Sequence, residues 1–197
     1  MIIAPCRQRL PFSSLLVIDG NDPRDHRSLP WLPMSTDHLQ ADSRSRQWAL
    51  AIGILAVTLV AYLPAIGCGY IWDDDDYVLE NRTLRSAVGL QRIWGEIGAT
   101  PQYYPMVHTS YWIEYHLWGL QPAGYHLVNI LLHAFNAILL WKILKFLQVP
   151  GAFLAALLFA LHPVHVESVA WITERKNTLS GCFYLLSAWC YLRCMLA

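Results

Sequence analysis

The stretch WALAIGILAVTLVAYLPAI, Trp48 to Ile66, holds nineteen residues and no charge. At 1.5 Å per residue, a helix of that length crosses a hydrocarbon core of about 30 Å, so it reads as a first membrane span. Composition agrees: of 197 residues, 55% are hydrophobic, 13% aromatic and 14% charged, with mean hydropathy +0.32. A soluble domain carries about a quarter charged residues. The net charge of +0 argues against nucleic acid as a partner, which calls for a basic patch.

Upstream of this span, residues 1–47 scatter Pro, Arg, Asp and Ser through NDPRDHRSLPWLP and ADSRSR without sustained periodicity, the pattern of a disordered leader. The apolar run Leu15-Leu16-Val17-Ile18 is too short for a signal-peptide core, and Met34 opens a second, more ordinary polar leader. Downstream, residues 67–124 are polar, aromatic and punctuated by proline, and His126 to Leu147 gives a second span. Gln148-Val149-Pro150-Gly151 predicts a reversal. A short third apolar stretch over 149–161 is stopped by His162-Pro163, and after a loop over 162–178 a fourth apolar segment runs over 179–197. The predicted fold is all-α and polytopic, with about four spans.

Lys and Arg beside spans set orientation. Arg44 and Arg46 precede the first span, Lys142 and Lys145 close the second, and Arg193 ends the fourth. All fall on one side if every segment crosses, which makes the leader cytoplasmic. Segment 67–124 carries three Arg against four Asp and three Glu, which suits the opposite side, periplasm or ER lumen. The loop over 162–178 then emerges there too. Within the outer loop, Leu84 to Ile97 and Pro105 to Leu120 read as amphipathic helices, the second with Tyr111, Tyr115 and Trp118 at helical spacing. Trp94, Tyr103, Tyr104, Trp112 and Trp118 match the aromatic enrichment of a bilayer interface. Such helices either anchor the loop or cover a lateral cleft.

The cysteines, Cys6, Cys68, Cys182, Cys190 and Cys194, contain no C-x-x-C pair, so neither a disulfide framework nor a zinc site is expected. His133 and Asn136 lie three residues apart inside the second span, where an interhelical hydrogen bond is the default for polar groups. Asn81-Arg82-Thr83 fits the N-glycosylation acceptor pattern.

Four consecutive carboxylates, Asp73-Asp74-Asp75-Asp76, follow Trp72 a few residues beyond the first span. Read alone, the run is a solvated acidic turn, a loose cation site, or a place to hold a general base against a bilayer-borne substrate. The series WDDDDYVLEN from Trp72, QYYPMVHTSYWIEYHLWGLQPAGYHLVNILLHAFNAILLW from Gln102, and FALHPVHVESVAWITERKNTLSG from Phe159 resemble the N-terminal membrane half of polytopic GT-C-fold glycosyltransferases. They are most similar in pattern to the transmembrane-and-tetratricopeptide protein O-mannosyltransferases and their bacterial counterparts. That resemblance covers residue 48 to the end, and it implies further spans and helical repeats that these 197 residues do not contain, hence a truncated, GT-C-like piece.

The resemblance implies a sugar, mannose-like, moving from a polyprenyl-phosphate donor to a protein Ser/Thr hydroxyl with inversion. The phosphate is a good leaving group, so one base for the acceptor hydroxyl suffices. Clustered carboxylates raise one another's pKa, which brings one nearer a useful base. Asp74 and Asp75 are the expected catalytic pair, with Asp73 and Asp76 supporting them. His162, His165 and Glu167 are expected to orient the donor or to finish a helix at the interface. Arg175 and Lys176, cations against the topological bias, are expected at the lipid phosphate, or else paired with Glu174 or lipid headgroups. No metal is expected, because Pro163 breaks the helical spacing of His162 and His165 and no third firm ligand is evident. The implied partners are membrane lipid, the polyprenyl-phosphate sugar donor and a protein acceptor. Two other readings stay open: a non-catalytic membrane module, and a transporter subunit with an ion path through His133 and Asn136.

Overall fold

The computed structural model describes residues 36–196, with side chains over 44–195. Of the expected leader over 1–47, residues 1–35, with Cys6 and Met34, lie outside the described residues. Helix α1, Thr36–Ile66, begins eleven residues before the leader's expected end. Once an apolar stretch has formed a helix, each further residue adds a hydrogen bond at little cost, so the polar residues ahead of Trp48 continue it.

Six more helices follow: α2 Ala87–Gly95, α3 Pro105–Trp118, α4 Pro122–Phe146, α5 Ala152–Leu161, α6 Val166–Ala170 and α7 Arg175–Leu196. There is no strand among the described residues, so the all-α expectation holds. Two helical stretches are long and apolar enough to cross a membrane, Arg44–Ile66 and Pro122–Phe146. Helices α5 and α6, bent by 47° at the break before Pro163, make a third if they act as one span. The bend follows from His162, which Pro163 holds in extended backbone. The expected fourth apolar segment lies within helix α7. Helix α7 packs along α4, but Tyr184, Trp189, Tyr191 and Arg193 leave it less apolar, and it is not among the helices that qualify.

Small residues set how closely the spans approach. Ala152, Ala156 and Ala160 recur every fourth position on one face of α5 and meet Ala137 of α4 and Ala51 of α1, the small-residue packing that suits helices in lipid. Leu154 and Leu158, each 60% exposed, occupy the opposite face. Between α4 and α5 the chain reverses through Gln148 and Gly151, both at positive φ, 57° and 75°.

The long loop after α1 is a folded unit with its own core. A short π-helix, Asp75–Leu79, and a 3₁₀ turn, Arg82–Arg85, lead into α2, whose start is capped by Ser86 accepting from the Gly89 N–H at 3.1 Å. A Cβ on Gly89 would stand 1.9 Å from the Thr83 carbonyl oxygen, so only glycine lets α2 sit against that turn. Tyr77, Val78, Leu84, Ile93, Val107 and Tyr111 pack together and reach Tyr125 of α4 and Ile172 ahead of α7. The expected aromatic face of α3 turns inward. Tyr111 is buried, and Tyr115 and Trp118 line this core, while Met106, Ile113 and Leu117 are exposed.

Candidate active site

The acidic run is held by its second member. Asp74 is fully buried, with Oδ2 accepting from the Ile71 N–H at 3.0 Å and Oδ1 accepting from the Thr173 N–H at 2.9 Å and from the Thr173 hydroxyl. One carboxylate thus ties the loop after α1 to the turn before α7, across ninety-nine residues of sequence. Burial pushes the Asp74 carboxyl above the usual range, the hydrogen bonds from Thr173 and Ile71 oppose this, and the Asp73 charge adds to it. With both oxygens occupied inside the protein, Asp74 has no free edge for a substrate hydroxyl.

Asp73 is placed differently. It is half-buried, and it accepts from the same Thr173 hydroxyl at 3.2 Å, which leaves the remaining carboxylate oxygen open. Asp75 and Asp76 are exposed at the first turn of the π-helix. The backbone around the run is constrained: Trp72 adopts φ 49°, uncommon for a side-chain-bearing residue. Its ring, 76% exposed, meets Trp171 edge to face at 4.9 Å.

Two neighbours in sequence, Arg175 and Lys176, go to opposite environments. Arg175 is 0% exposed and therefore does not reach a lipid phosphate. Its Nε donates to Asn129 Oδ1, Nη1 to Glu114 Oε1 and to Ser110 Oγ at 3.1 Å, and Nη2 to Glu114 Oε2 at 3.2 Å and to the Tyr125 carbonyl at 2.9 Å. All five guanidinium N–H donors are thereby engaged within the protein. The guanidinium also lies 5.0 Å from the centroid of Tyr111, a favourable cation–π distance. Arg175 fastens α3, α4 and the start of α7 together. Lys176 remains partly exposed, its Nζ 2.8 Å from Glu174 Oε1. Asn177 donates to Glu174 Oε2 and to Ser168 Oγ, the latter at 3.2 Å. Lys176 and Asn177 line one wall of an open cleft of about 510 Å³, opposite Tyr103, Tyr104, Met106 and Val107.

The histidines are occupied elsewhere. His162 is exposed and its Nδ1 accepts from the Val164 N–H at 3.2 Å, capping the turn after Pro163. His165 packs on Phe159 and His133, with centroids at 4.5 and 5.1 Å. Glu167 is exposed. Among the described residues, no hydrogen bond or ion pair joins these three to the acidic run, and no group of three or more His, Cys, Asp and Glu is arranged around a metal position. In α4, His133 lies with Nε2 3.1 Å from the Ala160 carbonyl, and Asn136 donates to the Thr178 carbonyl at 2.8 Å. These are the interhelical bonds anticipated for polar residues in a span. The acceptor pattern at Asn81 is closed in the folded chain. Asn81 is buried, accepts from the Thr83 N–H at 3.1 Å and donates to the Tyr77 carbonyl at 3.1 Å.

Thr173, Tyr77, Glu114 and Asn129 belong to this site, and no local pattern in the sequence marks any of them. An Asp74→Ala variant tests the tie directly. It leaves the Ile71 N–H, the Thr173 N–H and the Thr173 hydroxyl without their acceptor, at roughly 1–3 kcal/mol for each group that water does not recover. We expect a loss of about 2–4 kcal/mol in thermal unfolding of the detergent-solubilised protein, and faster proteolysis in the loop over 67–86. A variant as stable as the parent would deny Asp74 this role.

The chain is 31% identical over 150 residues to the human protein O-mannosyl-transferase TMTC3, covering 71% of the chain and 16% of that relative. It is 35% identical over 149 residues to the Xenopus laevis protein O-mannosyl-transferase tmtc2, covering 70% and 18%. Identity to the mouse protein O-mannosyl-transferase TMTC4 is 30% over 182 residues, covering 79% and 24%. The chain thus spans about a sixth to a quarter of the length of these relatives. No family model and no solved structure matches it.

Proposed function

We propose that this chain, which is homologous to the protein O-mannosyl-transferases, carries the carboxylate side of a membrane site that moves mannose from a polyprenyl phosphate to a protein Ser or Thr hydroxyl. The observation that carries the reading is the junction at Thr173, where Asp73 keeps an open carboxylate edge on the same turn as Glu174 and Lys176. In this reading Asp73 is the base. The acceptor oxygen attacks the anomeric carbon, its proton passes to Asp73, and the bond from that carbon to the phosphate oxygen breaks with the electron pair leaving on phosphate. Lys176 meets the anionic leaving group by a charge-assisted contact, and Asp74 positions Asp73 through Thr173. Asp75 and Asp76, exposed at the same loop, remain available to the acceptor. His162, His165 and Glu167 lie along the segment leading to the junction, and His162 and Glu167 serve as further contacts to the donor head group.

Lys and Arg flanking the first and second spans support a cytoplasmic leader and a periplasmic or lumenal acidic loop. The ion-path reading draws no support from His133, whose Nε2 is engaged by the Ala160 carbonyl. The reading is tested with the purified full-length protein, polyprenyl-phosphate mannose and a Ser/Thr-rich polypeptide. Mannose should appear on hydroxyl oxygens with the anomeric configuration opposite to the donor's. Retention of configuration, or no transfer under conditions where a known mannosyltransferase works, would overturn it.

A further inference from the structure

Lys176, Leu179, Ser180 and Phe183 stand three, four and seven residues apart along α7, so they share one face of that helix over about 10 Å. This face lines the open cleft of about 510 Å³, with Met106 and Val107 at the start of α3 opposite. Sites for small molecules run from roughly 300 to 1,000 Å³, so the cleft has room for one. The other face of α7 is already covered. Thr178 and Cys182 are buried, and a Cβ on Gly181 would stand 3.2 Å from the Asn136 amide nitrogen of α4. The cleft side is open, with Met106 and Phe183 each 47% exposed.

The cleft changes character along its length. Lys176 sits in the first turn of α7, three residues after Thr173, while Leu179 and Phe183 carry the lining away from that junction. Glu174, the carboxylate beside Lys176, has both oxygens engaged, Oε1 by Lys176 at 2.8 Å and Oε2 by Asn177. An ammonium carries three N–H donors, so Lys176 keeps two beyond that ion pair. A cation at the head of an apolar track matches an amphiphile with an anionic head and a hydrocarbon chain. In the function proposed above, on which this inference rests, Lys176 meets the donor's phosphate, and the chain esterified to that phosphate leaves from the same point. The cleft is the apolar path that begins there. We propose that the α3–α7 cleft receives the isoprene units next to the phosphate of the polyprenyl donor, with Met106, Leu179 and Phe183 as its contacts to the chain.

The test measures binding of geranyl phosphate, a two-unit isoprenoid phosphate, to the full-length protein in phosphatidylcholine nanodiscs. Each buried CH₂ contributes about fourfold in affinity. An indole that fills the cleft, in Ser180→Trp, should therefore weaken binding tenfold or more, with Tm retained because Ser180 is exposed. If the indole disturbs the fold, Phe183→Ala carries the test and should weaken binding by about fourfold or more. Leu154→Trp places the same bulk on the exposed face of α5 and should bind as wild type does. Polyprenyl phosphate should displace the probe, and inorganic phosphate at the same concentration should not. Unweakened binding in a folded Ser180→Trp or in Phe183→Ala, an equal loss in Leu154→Trp, or displacement by phosphatidic acid as effective as by polyprenyl phosphate would each overturn the inference. The two readings fail separately. Probe binding that Ser180→Trp abolishes, in a protein that transfers no mannose, would keep the lipid cleft and remove the transferase reading. Mannose transfer by Ser180→Trp with an unchanged KM for the donor would keep the transferase and remove the cleft.

Discussion

Arg175→Met is expected to cost about 3–5 kcal/mol, the usual penalty for breaking a buried ion pair from one side, and to loosen α3 from α4 and α7. The variant leaves Glu114 buried with no counter-charge, and Asn129, Ser110 and the Tyr125 carbonyl lose the donors that now satisfy them. Burial already pushes the Glu114 carboxyl up, and Arg175 is what opposes that push. Without the guanidinium, the folded-state pKa of Glu114 rises further above its unfolded value. The protonated, folded form is then favoured below the unfolded pKa, and that advantage disappears as pH rises through the folded one. The deficit of Arg175→Met should therefore shrink in mildly acidic buffer and be largest at neutral pH and above. Adding Glu114→Leu should recover much of the loss, since a well-packed apolar pair can replace a buried ionic one. Thermal unfolding of the detergent-solubilised variants across pH is the measurement. A small, pH-independent change would mean that the network is incidental.

How much of this was legible in the sequence depends on the range of the interaction. The spans at Trp48 and His126 were readable because an uncharged run of that length has few soluble uses. Pro105 at the first turn of α3 and the reversal before Gly151 were readable because they are local steric rules. The fourth apolar segment was harder. Its helix begins before the apolar run, at Arg175. Nothing near Arg175 in sequence distinguishes a buried clamp from a solvent-facing cation, because its side-chain partners lie 46 to 65 residues away.

The same limit governs the acidic run. Together with the resemblance, four adjacent carboxylates beside a span make the run a candidate, but they do not mark which of them is open. Asp74, expected with Asp75 as the catalytic pair, is engaged on both oxygens by Ile71 and Thr173. That partition comes from a π-helical start that points successive carboxylates in different directions, and from a threonine ninety-nine residues downstream. Neither leaves a periodic trace.

Asp73→Asn is the remaining large effect, and it follows from the open carboxylate edge beside Thr173. An amide is nearly isosteric and can still accept from the Thr173 hydroxyl, so the fold should survive, but it cannot take a proton from an attacking hydroxyl. Removal of a positioned general base typically lowers a rate by roughly 10²–10⁴-fold. The decisive measurement is mannosyl transfer by the full-length protein, with Asp73→Asn and Asp75→Asn assayed side by side at saturating polyprenyl-phosphate mannose. The account predicts that Asp73→Asn lowers kcat by about 10²-fold or more with membrane insertion and Tm intact, while Asp75→Asn stays within a few-fold of wild type. Transfer at the wild-type rate by Asp73→Asn, with or without loss in Asp75→Asn, would contradict it.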